Sequence, residues 1–403
     1  MFKNEVSLVA CDSYDQVLIE QKVKETFDNL GGVGAFIKKG QTVVLKPNLV
    51  SAKTPDMAVT THPSIVLAVA KLVIAAGAGK CIIADSAGGP YTKGFMHGIM
   101  KTAGMIEAAE QSGAEICSDF STYEVNSPEA RFGKKYFILN CLEQADVIIN
   151  LCKLKTHSFT GYSGAVKNMF GAIPGLVKVE MHGRFQNLTN FNEYMYDIQD
   201  YFKPKLALHL MDAVVGMEGP GPTAGTPRQI GAIIAGVNPL ACDIVGLKLI
   251  KFKNIKESPT IRVGVSRGYI GEDLAVKIIG SSEKDFNINN YKQVEISEFQ
   301  PLLQKVPKWV EKFMHWGMTQ RPTVSRRACK GCRKCEEHCP TKAIVMTKYK
   351  KGKQPDKVEF KYNQCIRCYC CQELCPFGLV KVKSGPLHKL LRFGKAKGKR
   401  QKD

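Results

Sequence analysis

Fifteen cysteines occur in the 403 residues, and eight of them fall in two closely spaced quartets near the carboxyl end. The quartets are Cys329, Cys332, Cys335 and Cys339, and Cys365, Cys368, Cys371 and Cys375, with Pro340 and Pro376 directly after them. Each has the spacing C-x₂-C-x₂-C-x₃-C-P, in which a tight loop brings three thiolates together and the proline turns the chain away. This spacing is that of bacterial-type ferredoxins, so it predicts two [4Fe–4S] clusters.

The ligands of each cluster are expected to come from both quartets, because the fourth cysteine of such a run reaches across to the other cluster. We therefore assign Cys329, Cys332, Cys335 and Cys375 to one cluster, and Cys365, Cys368, Cys371 and Cys339 to the other. Two zinc sites or a disulfide framework are the alternatives. Zinc favours paired C-x₂-C knuckles, and two identical quartets would be an unusual disulfide pattern. Cys370 is expected to be a free buried thiol.

The repeat continues beyond the cysteines, since Ala343-Ile344-Val345 follows one quartet and Leu379-Val380-Lys381 follows the other. A strand after each quartet predicts a pseudo-twofold α+β ferredoxin domain over residues 326–383. The lysine-rich stretch between the quartets, 348–357, predicts an exposed hairpin tip.

The remainder of the chain is long enough for a sizeable separate core. We predict an α/β domain over 1–280, a linker over 281–325 and a basic tail over 384–403. Within the linker, a helix over 299–316 is expected to dock the ferredoxin domain. Four cysteines in apolar surroundings, Cys81, Cys141, Cys152 and Cys242, are expected in the core.

Residues 5–280 alternate short apolar runs with longer amphipathic ones, which predicts an α/β fold with a layered, largely parallel or mixed sheet. Strands are predicted at 6–10, 42–45, 81–84, 147–151, 206–211 and 230–235. Helices are predicted at 17–30, 63–76, 100–112, 190–201 and 239–250.

Polar side chains follow several of these strands, at the sheet edge where ligands bind in parallel sheets. They are Lys46, Asn48, Asp85, Lys153, Lys155, His157, Asp212 and Glu218. In an extended chain Lys153, Lys155 and His157 point to one side. A small-residue loop over 160–168, carrying Lys167 and Asn168, then enters a helix whose amino terminus favours an anion. The pattern predicts a pocket for a carboxylate or phosphate, with mutual salt bridges among these lysines and acids as the alternative.

Several short motifs together resemble the family called domain of unknown function 362. They are Lys46-Pro47-Asn48-Leu49, Thr61-His62-Pro63, Lys153-Leu154-Lys155-Thr156-His157, Thr160-Gly161, Lys167-Asn168 and Asn238-Pro239-Leu240-Ala241-Cys242-Asp243. The resemblance covers residues 5–280, and members with an appended two-cluster ferredoxin are familiar. It implies no particular chemistry, because the family lacks an assigned activity. Asn238 stands where members often carry aspartate, so no proton-transfer role is carried over to it.

These features favour a ferredoxin-linked reductase that passes low-potential electrons to an anionic substrate. A reduction needs protons, for which His157 is the preferred donor and Glu218 and Asp243 are alternatives. The predicted substrate-binding residues are Lys46, Asn48, Asp85, Lys153, Lys155, Lys167 and Asn168. Electrons would come from a ferredoxin or another iron–sulfur protein, since no nicotinamide or flavin motif is evident. The rival hypotheses are a non-catalytic electron carrier or maturation factor and, third, an ATP-dependent ligase-like activity.

The formal net charge is +20, and two oxidised clusters of about −2 each would lower it to roughly +16. The basic tail predicts contact with an anionic membrane surface or an acidic partner, with a solvated tail as the alternative. Nucleic acid is not favoured, because no recognition fold accompanies the charge. Free thiols, oxygen-sensitive clusters and the lack of a long apolar run or signal core predict a cytoplasmic protein of an anaerobic or microaerobic host.

Overall fold

The computed structural model describes residues 3–185, 187–294, 320–325, 328–347 and 357–383. The chain forms two compact units, one ending at Val294 and the other beginning at Glu295. Across the described ranges, no helix is long and apolar enough to cross a membrane. The predicted helix at 299–316, residues 348–356 of the predicted hairpin tip and the basic tail lie outside the described residues.

The first unit is built around a mixed sheet. The strands of the whole unit are β1 (Glu5–Ala10), β2 (Thr42–Lys46), β3 (Lys80–Ile83), β4 (Glu115–Ile116), β5 (Thr122–Asn126), β6 (Lys135–Leu139), β7 (Val147–His157), β8 (Gly161–Ser163), β9 (Leu206–Glu218), β10 (Thr226–Gly236) and β11 (Lys277–Gly280). Among the described residues, nine strands form one sheet in the order β11-β1-β10-β9-β7-β2-β3-β4, with β8 beside β7. β9, β7, β2, β3 and β4 are parallel neighbours, whereas β10 runs antiparallel to β9 and β1. The predicted α/β fold with a mixed sheet is confirmed.

Helices cover the sheet. They are α1 (Gln16–Asp28), α2 (Pro63–Ala75), α3 (Lys93–Thr102), α4 (Met105–Ser112), α5 (Asn140–Glu143), α6 (Ala165–Asn168), α7 (Val177–Arg184), α8 (Leu188–Phe202), α9 (Pro239–Leu249) and α10 (Pro259–Ser266). Val43 and Leu45 of β2 lie in one core with α1 and α2, while the buried Val44 between them points to the other face. All four cysteines predicted in the core, Cys81, Cys141, Cys152 and Cys242, are buried.

The predicted helix at 100–112 is wrong as a single element. The chain forms α3 and α4 instead, separated at Gly104, whose φ of +73° belongs to the left-handed region. A right-handed helix cannot continue through that conformation, so the chain turns between the two apolar segments.

β7 and β9 are longer than predicted, and this relocates the candidate site. Lys153 and Lys155 do not follow a strand but lie within β7, and Asp212 lies within β9. Lys153 pairs in register with Asp212 on the neighbouring strand. The charges that seemed to end both strands therefore neutralise each other across the sheet.

The first unit extends past the predicted boundary at 280. The Tyr291 hydroxyl donates to the Met217 carbonyl at 2.6 Å, and the Lys292 amide donates to Glu218 at 3.0 Å. These bonds attach residues 281–294 to β9, which removes them from the predicted linker.

The second unit consists of two similar halves. One half contains β12 (Arg321–Thr323), α11 (Lys334–Glu337) and β13 (Ile344–Thr347), and the other contains β14 (Lys357–Phe360), α12 (Cys370–Glu373) and β15 (Lys381–Lys383). β12 pairs with β15 and β13 with β14, both antiparallel. The first strand of each half thus pairs with the last strand of the other, as the predicted pseudo-twofold requires. Since β12 pairs with β15, the ferredoxin-type domain begins before the predicted boundary at 326.

Candidate functional site

The cysteines of the second unit group across the two quartets. Cys329, Cys332 and Cys335 line one cavity together with Cys375. The apolar part of its wall comes from Val324, Met346, Val358, Phe377, Leu379 and Val380. Three sulfurs of one quartet and the fourth of the other therefore face the same space.

The remaining cysteines form a second group. Burial raises the pKa of the Cys371 thiol, and the nearby Cys368, Cys365, Cys335 and Cys339 add to the effect, so Cys335 of the first group also lies close by. Burial also raises the pKa of Cys365, with Cys339 again among the contributing neighbours. Cys339 thus lies beside Cys365 and Cys371 of the second quartet. The supernumerary Cys370 is buried.

Equivalent hydrogen bonds support the fourth cysteine of each quartet. The Ala343 amide donates to Cys339 Sγ at 3.2 Å, and the Leu379 amide donates to Cys375 Sγ at 3.4 Å. N–H donors aimed at sulfur suit thiolates that hold an iron–sulfur cluster, whose reduction potential they help to set. The donor set fits an iron–sulfur cluster.

The first unit contains a buried ion pair with an aromatic cover, formed by Lys153, Asp212, Tyr14 and His62, which we call the Tyr14 cluster. Lys153 Nζ lies 2.7 Å from Asp212 Oδ2, and the two residues are 1% and 0% exposed. The Tyr14 hydroxyl donates to Asp212 Oδ1 at 2.7 Å and accepts from Lys153 Nζ at 2.8 Å. It sits where the pairing of β7 and β9 shifts register after Lys153, and there it also accepts from the Val215 amide.

The rings of Tyr14 and His62 stack with their centroids 3.6 Å apart. His62 is the amino-terminal cap of α2, and its Nδ1 accepts from the Ser64 amide at 3.2 Å. Burial lowers the pKa of His62 to about 4, so the imidazole is neutral at pH 7. With Nδ1 as an acceptor, the ring proton is assigned to Nε2. Both rings are only half-buried, so they are the part of the cluster that solutes can reach.

Burial and the Asp212 carboxylate raise the pKa of the Tyr14 hydroxyl, which stays protonated. Burial lowers the pKa of Lys153, an effect that the Asp212 carboxylate partly offsets. Acids and bases with perturbed pKa values that gather in one place are typical of functional sites. The cluster places Lys153 as a donor to the Tyr14 oxygen, keeps the Tyr14 hydroxyl protonated, and presents a neutral N–H at His62.

A second buried ion pair lies at the ends of β2 and β3. Lys46 Nζ lies 2.8 Å from Asp85 Oδ1, and the Leu49 amide donates to Asp85 Oδ2 at 2.7 Å. Gly171 packs directly against the pair, where an added Cβ would meet Asp85 Oδ1 at 2.3 Å. Lys46 and Asp85 are therefore engaged with each other inside the fold.

Lys155 belongs to a third group, a chain of side-chain amides in which Asn150 and Asn168 are buried and Asn48 is half-buried. Its Nζ donates to Asn48 Oδ1 at 2.5 Å and to the Val59 carbonyl at 2.6 Å. Asn48 Nδ2 donates to Asn168, and Asn168 Nδ2 donates in turn to Asn150. Asn150 ends the chain at His209 Nδ1, 2.8 Å away. The structure thus brings together three of the predicted binding residues, Lys155, Asn48 and Asn168.

The three predicted catalytic residues bond to separate groups. His157 Nδ1 accepts from the Phe159 and Thr160 amides, and Glu218 accepts from Lys292. Asp243 lies on α9, where it accepts from the Ala165 amide at 2.5 Å. The half-buried Lys167 extends over the Phe170 ring.

At loop 160–168, where an anion site is predicted, the structure places the side chain of Asp243. The loop forms β8 and then the four-residue α6, and the carboxylate of Asp243 accepts from the amides of Ala165 and Val166 at the start of that helix. Burial raises the pKa of Asp243 to about 7, against the lowering effect of these donors. The protein's own acid fills the place expected for a ligand.

The functional candidates missed in the sequence are Tyr14, His62 and His209, together with Asp212, which was named without a role. His62 stands in a quoted motif, Thr61-His62-Pro63, and could have been found there. Tyr14 lies 139 residues from Lys153, and no local pattern links the two.

His209 makes acid stability a test of this interior. Burial lowers its pKa from 6.5 to about 3, so the folded protein keeps it neutral while the unfolded chain protonates below pH 6.5. The contribution of the neutral His209 to the free energy of unfolding is fully present above pH 6.5. It is lost as the pH falls toward 3, by about 1.4 kcal/mol per pH unit. In urea unfolding at pH 7, 6 and 5, the stability difference between wild type and His209→Gln should shrink accordingly. His97→Gln, at an exposed histidine, is the control. A constant difference would contradict the assignment.

Comparison with known proteins agrees with this architecture. Residues 328–379 match the model of a 4Fe-4S dicluster domain, and together with the cysteine geometry they define an iron–sulfur electron-transfer protein with a ferredoxin-type domain. Residues 43–248, just over half the chain, match the model described as Domain of unknown function (DUF362). The chain belongs to the DUF362 family.

One relative and two solved structures illustrate the likeness. The "Thylakoid-associated protein sll1697" of Synechocystis sp. is 31% identical over 249 residues, which cover 60% of this chain and 72% of the relative. The lactate racemase apoprotein of Thermoanaerobacterium thermosaccharolyticum gives a TM-score of 0.38 at 17% identity over 60% of this chain. A Thermotoga maritima protein gives 0.33 at 15% identity over 56% of this chain. The chain spans 56% and 58% of those two solved chains.

Proposed function

We propose that the protein is a ferredoxin-linked reductase, with two [4Fe–4S] clusters in crossed ligation and a substrate site at the Tyr14 cluster. Cys329, Cys332, Cys335 and Cys375 would hold one cluster, and Cys365, Cys368, Cys371 and Cys339 the other. When bound, each cluster supplies one electron at low potential. The reductant would be a reduced ferredoxin or another low-potential iron–sulfur protein.

The observation that carries the reductase proposal is the ion pair of Lys153 and Asp212 beneath the half-exposed Tyr14 and His62. Two electrons added to a carbonyl or an alkene require two protons, so a proton source must lie nearby. The neutral His62 would donate its Nε2–H to the substrate oxygen, where negative charge develops. Tyr14 would release its hydrogen bond to Asp212, give the hydroxyl proton to the substrate and take a proton from Lys153, whose pKa is lowered. Solvent would supply the second proton.

A small carboxylate or phosphate is the substrate class that we propose. Lys46 and Lys153 are engaged with Asp85 and Asp212, so they are not the groups that would bind its charge. Lys167 is half-buried and therefore reachable. It would bind the anionic group, while His62 would contact the group that is reduced.

The test is substrate-driven reoxidation of the reduced holoprotein under anaerobic conditions. Small keto acids, enoates and phosphorylated carbonyl compounds are added singly, and the return of the oxidised-cluster absorbance is followed. His62→Phe keeps the aromatic stack but removes the N–H, and Tyr14→Phe removes the relay hydroxyl. Either change should slow reoxidation about 10²-fold or more. Tyr91→Phe, which removes a hydroxyl bonded to the Asp119 carbonyl, should leave the rate unchanged.

The second candidate function is a non-catalytic electron carrier whose first unit recognises a protein partner. The observation in its favour is that buried carboxylates neutralise Lys46 and Lys153. If the protein is a carrier, no compound in the panel should reoxidise it. The wild type and His62→Phe should then pass electrons to a protein acceptor at the same rate. That combination would replace the reductase proposal.

A further inference from the structure

The two halves of the second unit differ in the exposure of equivalent cysteine loops. A shift of 36 residues superimposes one sequence half on the other, so Cys332 corresponds to Cys368. Cys332 is exposed, whereas Cys368 is buried at 8% exposure. The two cysteine groups are therefore unequal in their access to solvent.

The residues beside these cysteines differ in the same sense. Lys330 and Lys334 are exposed, and their counterparts are the half-buried Ile366 and the buried Cys370. In the first half, the chain surrounds its loop with cations. In the second, the equivalent loop carries one half-buried cation, Arg367, beside Ile366 and the buried Cys370. The first cysteine group is therefore the more exposed of the two.

Charge at this face is only partly neutralised by neighbours. Lys334 pairs with Glu337 at 3.1 Å and Arg333 with Glu336 at 3.3 Å. Lys330, which lines the cavity, makes no ion pair with any residue in the described ranges. Phe377 lines the same cavity and is 51% exposed. A basic rim around an exposed aromatic side chain suits an acidic protein surface.

The distribution of charge along the chain is also consistent with a basic docking face in the second unit. Residues 1–294 hold 31 Lys and Arg against 28 Asp and Glu, whereas residues 295–403 hold 26 against 9. Almost all of the positive excess thus belongs to the part of the chain that contains the cysteines. Two oxidised clusters of about −2 each would leave that part strongly basic.

We propose that the face formed by Lys330, Cys332, Lys334 and Phe377 is the docking surface for an acidic electron-transfer protein. The reduced partner would give up one electron there to the cluster that Cys329, Cys332, Cys335 and Cys375 would hold. This inference rests on iron–sulfur electron transfer and is independent of the reductase proposal. Failure of the docking proposal would not change the result expected for His62→Phe. Failure of the reductase proposal would not change the result expected for docking.

The experiment mixes anaerobic full-length holoprotein with a dithionite-reduced acidic bacterial-type ferredoxin at low salt. Both the association rate on immobilised ferredoxin and the rate of cluster reduction in solution are measured. Lys330→Glu should lower both rates about tenfold, since rim charges act mainly on association. Raising the ionic strength from about 0.01 to 1 M shortens the screening length from about 30 to 3 Å and should remove the difference.

Lys361→Glu is the matched control, because Lys361 is exposed in the same unit and is not among the residues lining the cavity. It makes the same change in net charge and should retain near wild-type rates. Unchanged iron content and direct reduction by dithionite would show that both variants keep their clusters. Equal slowing in the two variants, or wild-type rates that do not change with salt, would overturn the proposal.

Discussion

Replacing Asp212 by asparagine is expected to lower the free energy of unfolding by about 3–5 kcal/mol, the usual cost of breaking a buried ion pair. The change leaves the Lys153 ammonium beneath Tyr14 without its carboxylate, at a position that is 1% exposed. Urea unfolding followed by circular dichroism measures the loss.

Lys153→Met should cost less than Asp212→Asn, which is a sharper form of the prediction. Without the lysine, Asp212 still accepts from the Tyr14 hydroxyl at 2.7 Å, the His62 amide at 2.9 Å and the Val214 amide at 3.3 Å. Those donors keep the carboxylate solvated by the protein, whereas a buried ammonium without Asp212 loses its only charged partner in the Tyr14 cluster.

The exposed pair Lys24–Asp28, 2.6 Å apart on α1, provides the control. Asp28→Asn should change the free energy of unfolding by less than about 0.5 kcal/mol, because solvent screens exposed pairs. If Asp212→Asn is as mild as Asp28→Asn, the Tyr14 cluster is not the tightly coupled group described above.

The limits of prediction from sequence are clear in β7. Its apolar run ends at Leu151, so the lysines that follow seemed to lie beyond the strand. Only the pairing of Lys153 with Asp212, 59 residues away, makes those positions compatible with a buried strand. A contact of this range leaves no periodic signal, which is also why Tyr14 was missed.

The cysteine region could be predicted much further, because its information is local. The spacing within each quartet dictates three converging sulfurs, and the two-half arrangement of strands follows from the repeat. The spacing does not predict the difference in solvent exposure between the two halves. The exposure of Cys332 and the burial of Cys368 depend on how the domain packs.

Loss of iron in cysteine variants is the second large effect, and it concerns the central claim of crossed ligation. Replacing one ligand of a four-thiolate cluster should remove that cluster and its four irons. Single variants cannot tell which cluster is lost, since each would retain about four irons. Pairs of substitutions can, because two changes on one cluster cost no more iron than one.

The decisive measurement is the iron content of two double variants, prepared and reconstituted anaerobically beside a wild type that should hold about eight irons. Cys332→Ala with Cys375→Ala alters one cluster under crossed ligation and should retain about four irons. Cys368→Ala with Cys375→Ala alters both clusters and should retain almost none. The opposite result, no iron in the first double variant and four irons in the second, would show that each quartet binds its own cluster and would contradict the account.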